Sequence, residues 1–126
     1  MVEDFEVRSS GPDHGGDAIS KTLAAMRRVT ATAGGDSRLG LSLGPRFHAR
    51  GLVHVGHEGR VQLCRGNSAA ARLARLNFQQ LREALLATGL TAAEFDADLE
   101  RLDQEDFEWR SPTLWTAWGQ RPKLAQ

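Results

Sequence analysis

Apolar residues recur along this chain with two periods, and the changes of period mark its elements. Val2 to Val7 reads as a short strand or strand end. Ser9-Ser10-Gly11-Pro12-Asp13-His14-Gly15-Gly16 is dense in turn formers and predicts a mobile loop. Ile19, Leu23 and Met26 then follow a 4,3 spacing, predicting a helix capped by Asp17 and ended by Gly34-Gly35. Leu39, Leu43 and Phe47 carry a weaker helical stripe over residues 37–50. Gly40, Gly44 and Pro45 interrupt it, so a broken or two-part helix is expected.

From Gly51 the period falls to two through Val53 and Val55, and alternation resumes at Val61 and Leu63, predicting one long bent strand or a hairpin. Gly66-Asn67-Ser68 breaks it and caps a helix with Ala74, Phe78, Leu81 and Leu85 on one face and Gly89 as its stop. Thr91-Ala92-Ala93-Glu94 has the form of a capping box, opening a helix that buries Phe95, Leu99 and Leu102. A last strand runs over residues 113–118, with Trp115 and Trp118 on opposite faces.

One domain with a modest core is expected from 126 residues. Sixteen basic residues balance sixteen acidic ones, so no global field favours nucleic acid or an anionic membrane. The charges are segregated nonetheless. Five arginines and no acid lie between Arg60 and Arg82; eight acids and only Arg101 lie between Glu94 and Glu108. Neighbouring helices of opposite sign can attract each other, although exposed pairs contribute little individually. A single cysteine, Cys64, excludes an internal disulfide, and no apolar run is long enough to span a bilayer. The acidic Met1-Val2-Glu3-Asp4-Phe5-Glu6 start is unlike a secretory signal, which gives a cytoplasmic expectation.

The stretch Ser111-Pro112-Thr113-Leu114-Trp115-Thr116-Ala117-Trp118-Gly119-Gln120-Arg121-Pro122 resembles the closing strand of class I S-adenosylmethionine-dependent methyltransferases, in particular bacterial small-molecule enzymes. Further segments are similar in the same order. They are the acidic Glu3-Asp4 at a strand end, Gly35-Asp36-Ser37-Arg38-Leu39-Gly40, Arg65-Gly66-Asn67-Ser68, Leu81-Arg82 to Thr88-Gly89-Leu90, and Phe107-Glu108-Trp109-Arg110-Ser111-Pro112. Two departures stand out: Gly44-Pro45 where the family keeps a continuous helix, and Gln120 where an arginine is common. The larger departure is the missing Gly-rich strand-to-helix turn that holds the cofactor.

The resemblance therefore implies a single partial domain over residues 1–126. Its fold would be α/β or α+β: the C-terminal part of a Rossmann-like methyltransferase sheet, with few strands, an antiparallel final pair and four to five helices. It implies the substrate-side half of the enzyme, with no cofactor-binding residue of its own and S-adenosylmethionine bound only when a partner completes the fold. The family's central strands would lie in the missing half. The fragment should then expose a sheet edge and call for a complementary chain or self-association, a homodimer being the simplest case. A small-molecule acceptor is implied, and no activity is expected from this chain alone.

Two residues are candidates for the substrate side. Asp4, at the carboxyl end of the first strand, is placed by resemblance to orient an acceptor or act as a general base, against the plain alternative of a solvated terminus. His14, in the following loop, is the best-placed imidazole for proton transfer, against that of an exposed loop histidine. His48, His54 and His57 lack the spacing of a metal site, and none is expected. Cys64 reads as a small buried apolar residue. Two other functions compete. One is a non-catalytic dimeric interaction protein. The other is a helix–turn–helix over residues 68–102, whose second helix would bring Glu94, Asp96, Asp98 and Glu100 to DNA phosphates, a repulsive arrangement.

Overall fold

Two three-stranded antiparallel sheets, each with its own helical cover, divide the chain. The computed structural model describes residues 1–6, 11–14 and 19–124. Over them run β1 (Val2–Glu6), β2 (Gly11–His14), α1 (Ser20–Thr32), α2 (Leu39–Ala49), β3 (Val53–Arg60) and β4 (Leu63–Arg65). Then follow α3 (Ala69–Gln80), α4 (Arg82–Ala87), α5 (Ala92–Leu102), β5 (Glu108–Arg110) and β6 (Thr113–Gln120). The fold is α+β.

The first sheet has the order β1-β6-β3, and β6 is antiparallel to both neighbours. Leu114 lies opposite Phe5 on one side and Arg60 on the other. It follows that β1 and β3 run parallel to each other with β6 between them. The second sheet has the order β2-β5-β4, with Trp109 between Pro12 and Cys64.

Glycine sets how α2 meets the first sheet. A Cβ on Gly40 would stand 2.6 Å from the Asp4 carbonyl oxygen, and one on Gly44 2.8 Å from the His57 ring. Four residues apart, these two positions share one helix face and present a flat surface to β1 and β3. The His57 Nε2–H donates to the Gly40 carbonyl at 2.9 Å, and its ring packs 4.6 Å from Trp115. The glycines therefore seat the helix instead of breaking it. α2 is one continuous helix through Pro45, contrary to the two-part expectation. Pro45 and Leu41 are both exposed, so water can take the Leu41 carbonyl that proline leaves without a donor.

The other elements form a cap inserted at the carboxyl ends of β1 and β3. One excursion after β1 supplies β2 and α1; a longer one after β3 supplies β4, α3, α4, α5 and β5. The cap holds nearly all of the core: Phe78, Leu85, Phe95, Leu102, Phe107 and Trp109 form a single buried cluster with Leu23 and Ala25 of α1 and Ile19 just before it. Local signals place its helices well. Ser68 Oγ accepts from the Ala71 N–H, and Thr91 and Glu94 make the reciprocal capping box. Opposite charges meet between two of these helices: Arg75 Nη1 reaches Asp103 at 2.9 Å and also donates to the Leu99 carbonyl, tying α3 to α5.

Three further expectations change. Residues 53–65 form neither a bent strand nor a hairpin, because β3 and β4 join different sheets, separated by Val61 and Gln62. The turn-rich Gly11–His14 is a strand, paired with β5. The helix expected from Ser68 to Gly89 is two helices, interrupted at Leu81. Asp17, expected to cap α1, lies outside the described residues. The N-cap position belongs to Ile19, at φ 60°, and Asp98 on α5 does the capping work from a distance. It accepts from the Ile19 N–H at 3.0 Å and the Thr22 hydroxyl at 2.5 Å.

Candidate functional site: an apolar cleft at the strand ends

Where the cap meets the first sheet, a cleft of about 570 Å³ opens. Its walls come from three directions. The sheet contributes Phe5, Arg60 and Leu114; α1 with its N-cap contributes Ile19, Leu23 and Met26; α3 contributes Ala70, Leu73, Ala74, Asn77 and Phe78. Cys64 and Trp109 of the second sheet, with Gln62, Ser111 and Pro112 of the connecting segments, complete it. Phe5 is the penultimate residue of β1 and Arg60 the last of β3. The cleft therefore sits at the carboxyl ends of two parallel strands, the edge where open α/β sheets gather ligands. Its size lies within the range of small-molecule pockets.

Few polar groups face it. Arg60 stands at the rim, 3.6 Å from Glu3 Oε1, and that oxygen also accepts from the Thr116 hydroxyl at 2.8 Å. The Ser111 hydroxyl is occupied twice, donating to the Pro112 carbonyl and accepting from the Gln62 N–H. The Cys64 thiol is buried, and burial raises its pKa, so it stays neutral and a poor nucleophile. Its nearest polar neighbour is the Gln62 carbonyl, 3.8 Å away. Among the described residues of the lining, the carboxamides of Gln62 and Asn77 are the uncommitted donors and acceptors.

Asp4 is not part of this lining. It lies opposite Trp115 in the β1–β6 register, so its side chain is on the α2 face of the sheet, while its neighbour Phe5 is on the cleft face. Asp4 Oδ1 accepts from the Phe5 N–H at 2.7 Å. The backbone of His14 is placed in β2, opposite Glu108, but its side chain lies outside the described residues. Trp115 and Trp118 do take opposite faces: Trp115 packs against His57 under α2, and Trp118, 41 % exposed, lies over Gly56 on the other side. No group of three His, Cys, Asp or Glu side chains is gathered as a metal site among the described residues.

The residues present do not fit a methyl-donor cradle at the turn where one would be sought. Between β4 and α3, Gly66-Asn67-Ser68 is a glycine-containing strand-to-helix turn, but it is filled by the chain itself. A Cβ on Gly66 would overlap the Gln104 carbonyl. The Gly66 and Asn67 N–H groups donate to Phe107 and Leu102, and Ser68 caps α3. No helix among the described residues is long and apolar enough to cross a membrane. The outward side of α5 carries exposed Asp96 and Glu100, which repel phosphate. No protein-family model and no curated protein matches the chain.

The residues that sequence reasoning missed are Arg60, Gln62 and Asn77. Arg60 and Gln62 had one available signal, their place at and just after a strand's carboxyl end. It becomes informative only once β3 is known to run parallel to β1.

Proposed function

We propose that this chain is the substrate-side portion of an S-adenosylmethionine-dependent methyltransferase, with the cleft as its acceptor site and the donor pocket on a complementary chain. The observation that carries the reading is the position of β6. A final strand inserted antiparallel beside strands that run parallel to each other is the feature the resemblance implies, and the cleft lies at the carboxyl edge where an acceptor belongs.

Thin cover on the first sheet supports the need for a partner. Apart from Leu43 and Ala117, the buried apolar residues belong to the cap cluster. β1 has β6 on one edge and no strand on the other among the described residues, and it exposes Val2 and Phe5. An open, partly apolar strand is a template for pairing with another chain. A strand added there would run beside Phe5 and bring donor and acceptor together. Methyl transfer by in-line displacement depends on that alignment.

Calorimetry tests the division of labour. S-adenosylmethionine is expected to give no saturable heat with this chain alone, and one-to-one binding once a donor-half polypeptide carrying the Gly-rich turn is added. Tight, stoichiometric binding by the isolated chain would overturn the proposal.

The same open edge favours a second reading, a homodimer joined β1 to β1. Sedimentation equilibrium separates the two: a two-chain mass that Val2→Lys returns to one chain supports the dimer, whereas a stable monomer removes it.

A further inference from the structure

We infer that the cleft takes an uncharged, mostly apolar small molecule bearing one or two carbonyl or hydroxyl groups, which the Gln62 and Asn77 carboxamides recognise. The inference deepens the acceptor-site reading above and rests on it for the ligand's role, while the binding itself rests on the lining alone.

The lining decides the charge of the ligand. Among the described residues it contains no carboxylate, so a cationic molecule finds no counter-ion there. Its one cation among the described residues, Arg60, stands at the mouth and is already drawn to Glu3. An anion seated deeper, against Phe78, Trp109 and the neutral Cys64 thiol, would lose its hydration with no partner in return. A neutral molecule suffers no such penalty. Its apolar body meets Ile19, Leu23, Phe78 and Trp109, all buried and held by the cap core, so the surface is rigid before binding.

The lining also decides the polar group. Ser111 is committed to the chain on both its donor and acceptor sides. Among the described residues that leaves the two carboxamides, each able to donate and to accept, and together they match a carbonyl or hydroxyl. Pockets of this kind obtain affinity from apolar contact and orientation from a few such groups.

The test is a fluorescence titration of the full chain with two probes that share a ring system. N-phenyl-1-naphthylamine is uncharged; 8-anilinonaphthalene-1-sulfonate adds a sulfonate. The neutral probe is expected to saturate, with a dissociation constant at least about tenfold lower than that of the anionic one. Ala74→Trp, which fills the cleft, should abolish saturation. Leu73→Glu, at a 62 % exposed position on the mouth, should weaken the neutral probe about tenfold with helical circular dichroism unchanged. If Ala74→Trp does not fold, Leu73→Glu decides. Equal or tighter binding of the sulfonate overturns the uncharged class. No binding by the wild type, or unchanged binding in a folded Leu73→Glu chain, overturns the cleft as the site. Neither probe needs a methyl donor or a partner, so failure here is distinct from failure of the calorimetric test.

Discussion

At the scale of the residue, single side chains hold the cap and the sheet in place, and their loss has calculable signs. Asp98 receives the Ile19 N–H and the Thr22 hydroxyl at the start of α1, a helix with no side-chain cap of its own. Hydrogen bonds to a charged acceptor are worth about 1.5–3 kcal/mol each when shielded. Asp98 is half-buried, so Asp98→Ala is expected to cost about 2 kcal/mol in total in urea unfolding, with faster exchange of the Ile19 amide. Glu94 answers to pH. Its hydrogen bond to Lys21, helped by the Thr91 N–H, lowers its pKa from the ordinary 4.5 to about 2. A carboxyl depressed by folding stabilises above its unfolded pKa, and that contribution is lost as pH falls from about 4.5 toward 2. Between about pH 5 and pH 3, Glu94→Gln should flatten the decline of the urea midpoint seen in the wild type. Identical slopes would show that the pair contributes nothing.

At the scale of the element, α2 gives the sharpest prediction, because two tendencies of glycine oppose each other there. In an isolated helix Gly40→Ala would gain about 1 kcal/mol. Against the sheet the new methyl meets the Asp4 carbonyl at 2.6 Å, and overpacking costs about 1–3 kcal/mol. A backbone oxygen cannot rotate aside, so a net loss of about 1–2 kcal/mol is expected in urea unfolding; a stabilised variant would show that α2 does not sit this close. The same helix marks the limit of what the sequence makes legible. Ser68, Thr91 and Glu94 announce their helix starts because a cap is a contact three residues long. The Gly40/Gly44 pair carries two meanings, helix breaker or flat packing face, and only the sheet beyond it chooses between them. β2 and β5 stayed hidden for a related reason. Four and three residues long, they take their strand character from pairing with each other across about a hundred positions rather than from any local alternation.

At the scale of the whole molecule, a well-filled cap sits on a thinly covered sheet, and the cleft lies at their join. The cap's core was legible from helical periodicity, since Phe78, Leu85, Phe95, Leu99 and Leu102 were all marked by it and all are buried. The cleft was not, because its walls come from five separate stretches that only the topology unites. Partner binding belongs to this scale. The β1 amides that face away from β6 should exchange rapidly in the isolated chain and gain protection when a complementary chain pairs along β1, and protection of those outward amides already present in a monomer would count against an open edge. The position of β6 also bears on how the polypeptide is made. β1 and β3 have no contact of their own in the sheet and meet only through β6, which the ribosome delivers after both. Most of the cap can condense while synthesis is still under way, but residues 2–6 and 53–60 must wait unpartnered until residues 113–120 emerge. The two nascent strands are thus open to wrong pairing until residues 113–120 have been made, and the arrival of that segment joins them into one sheet.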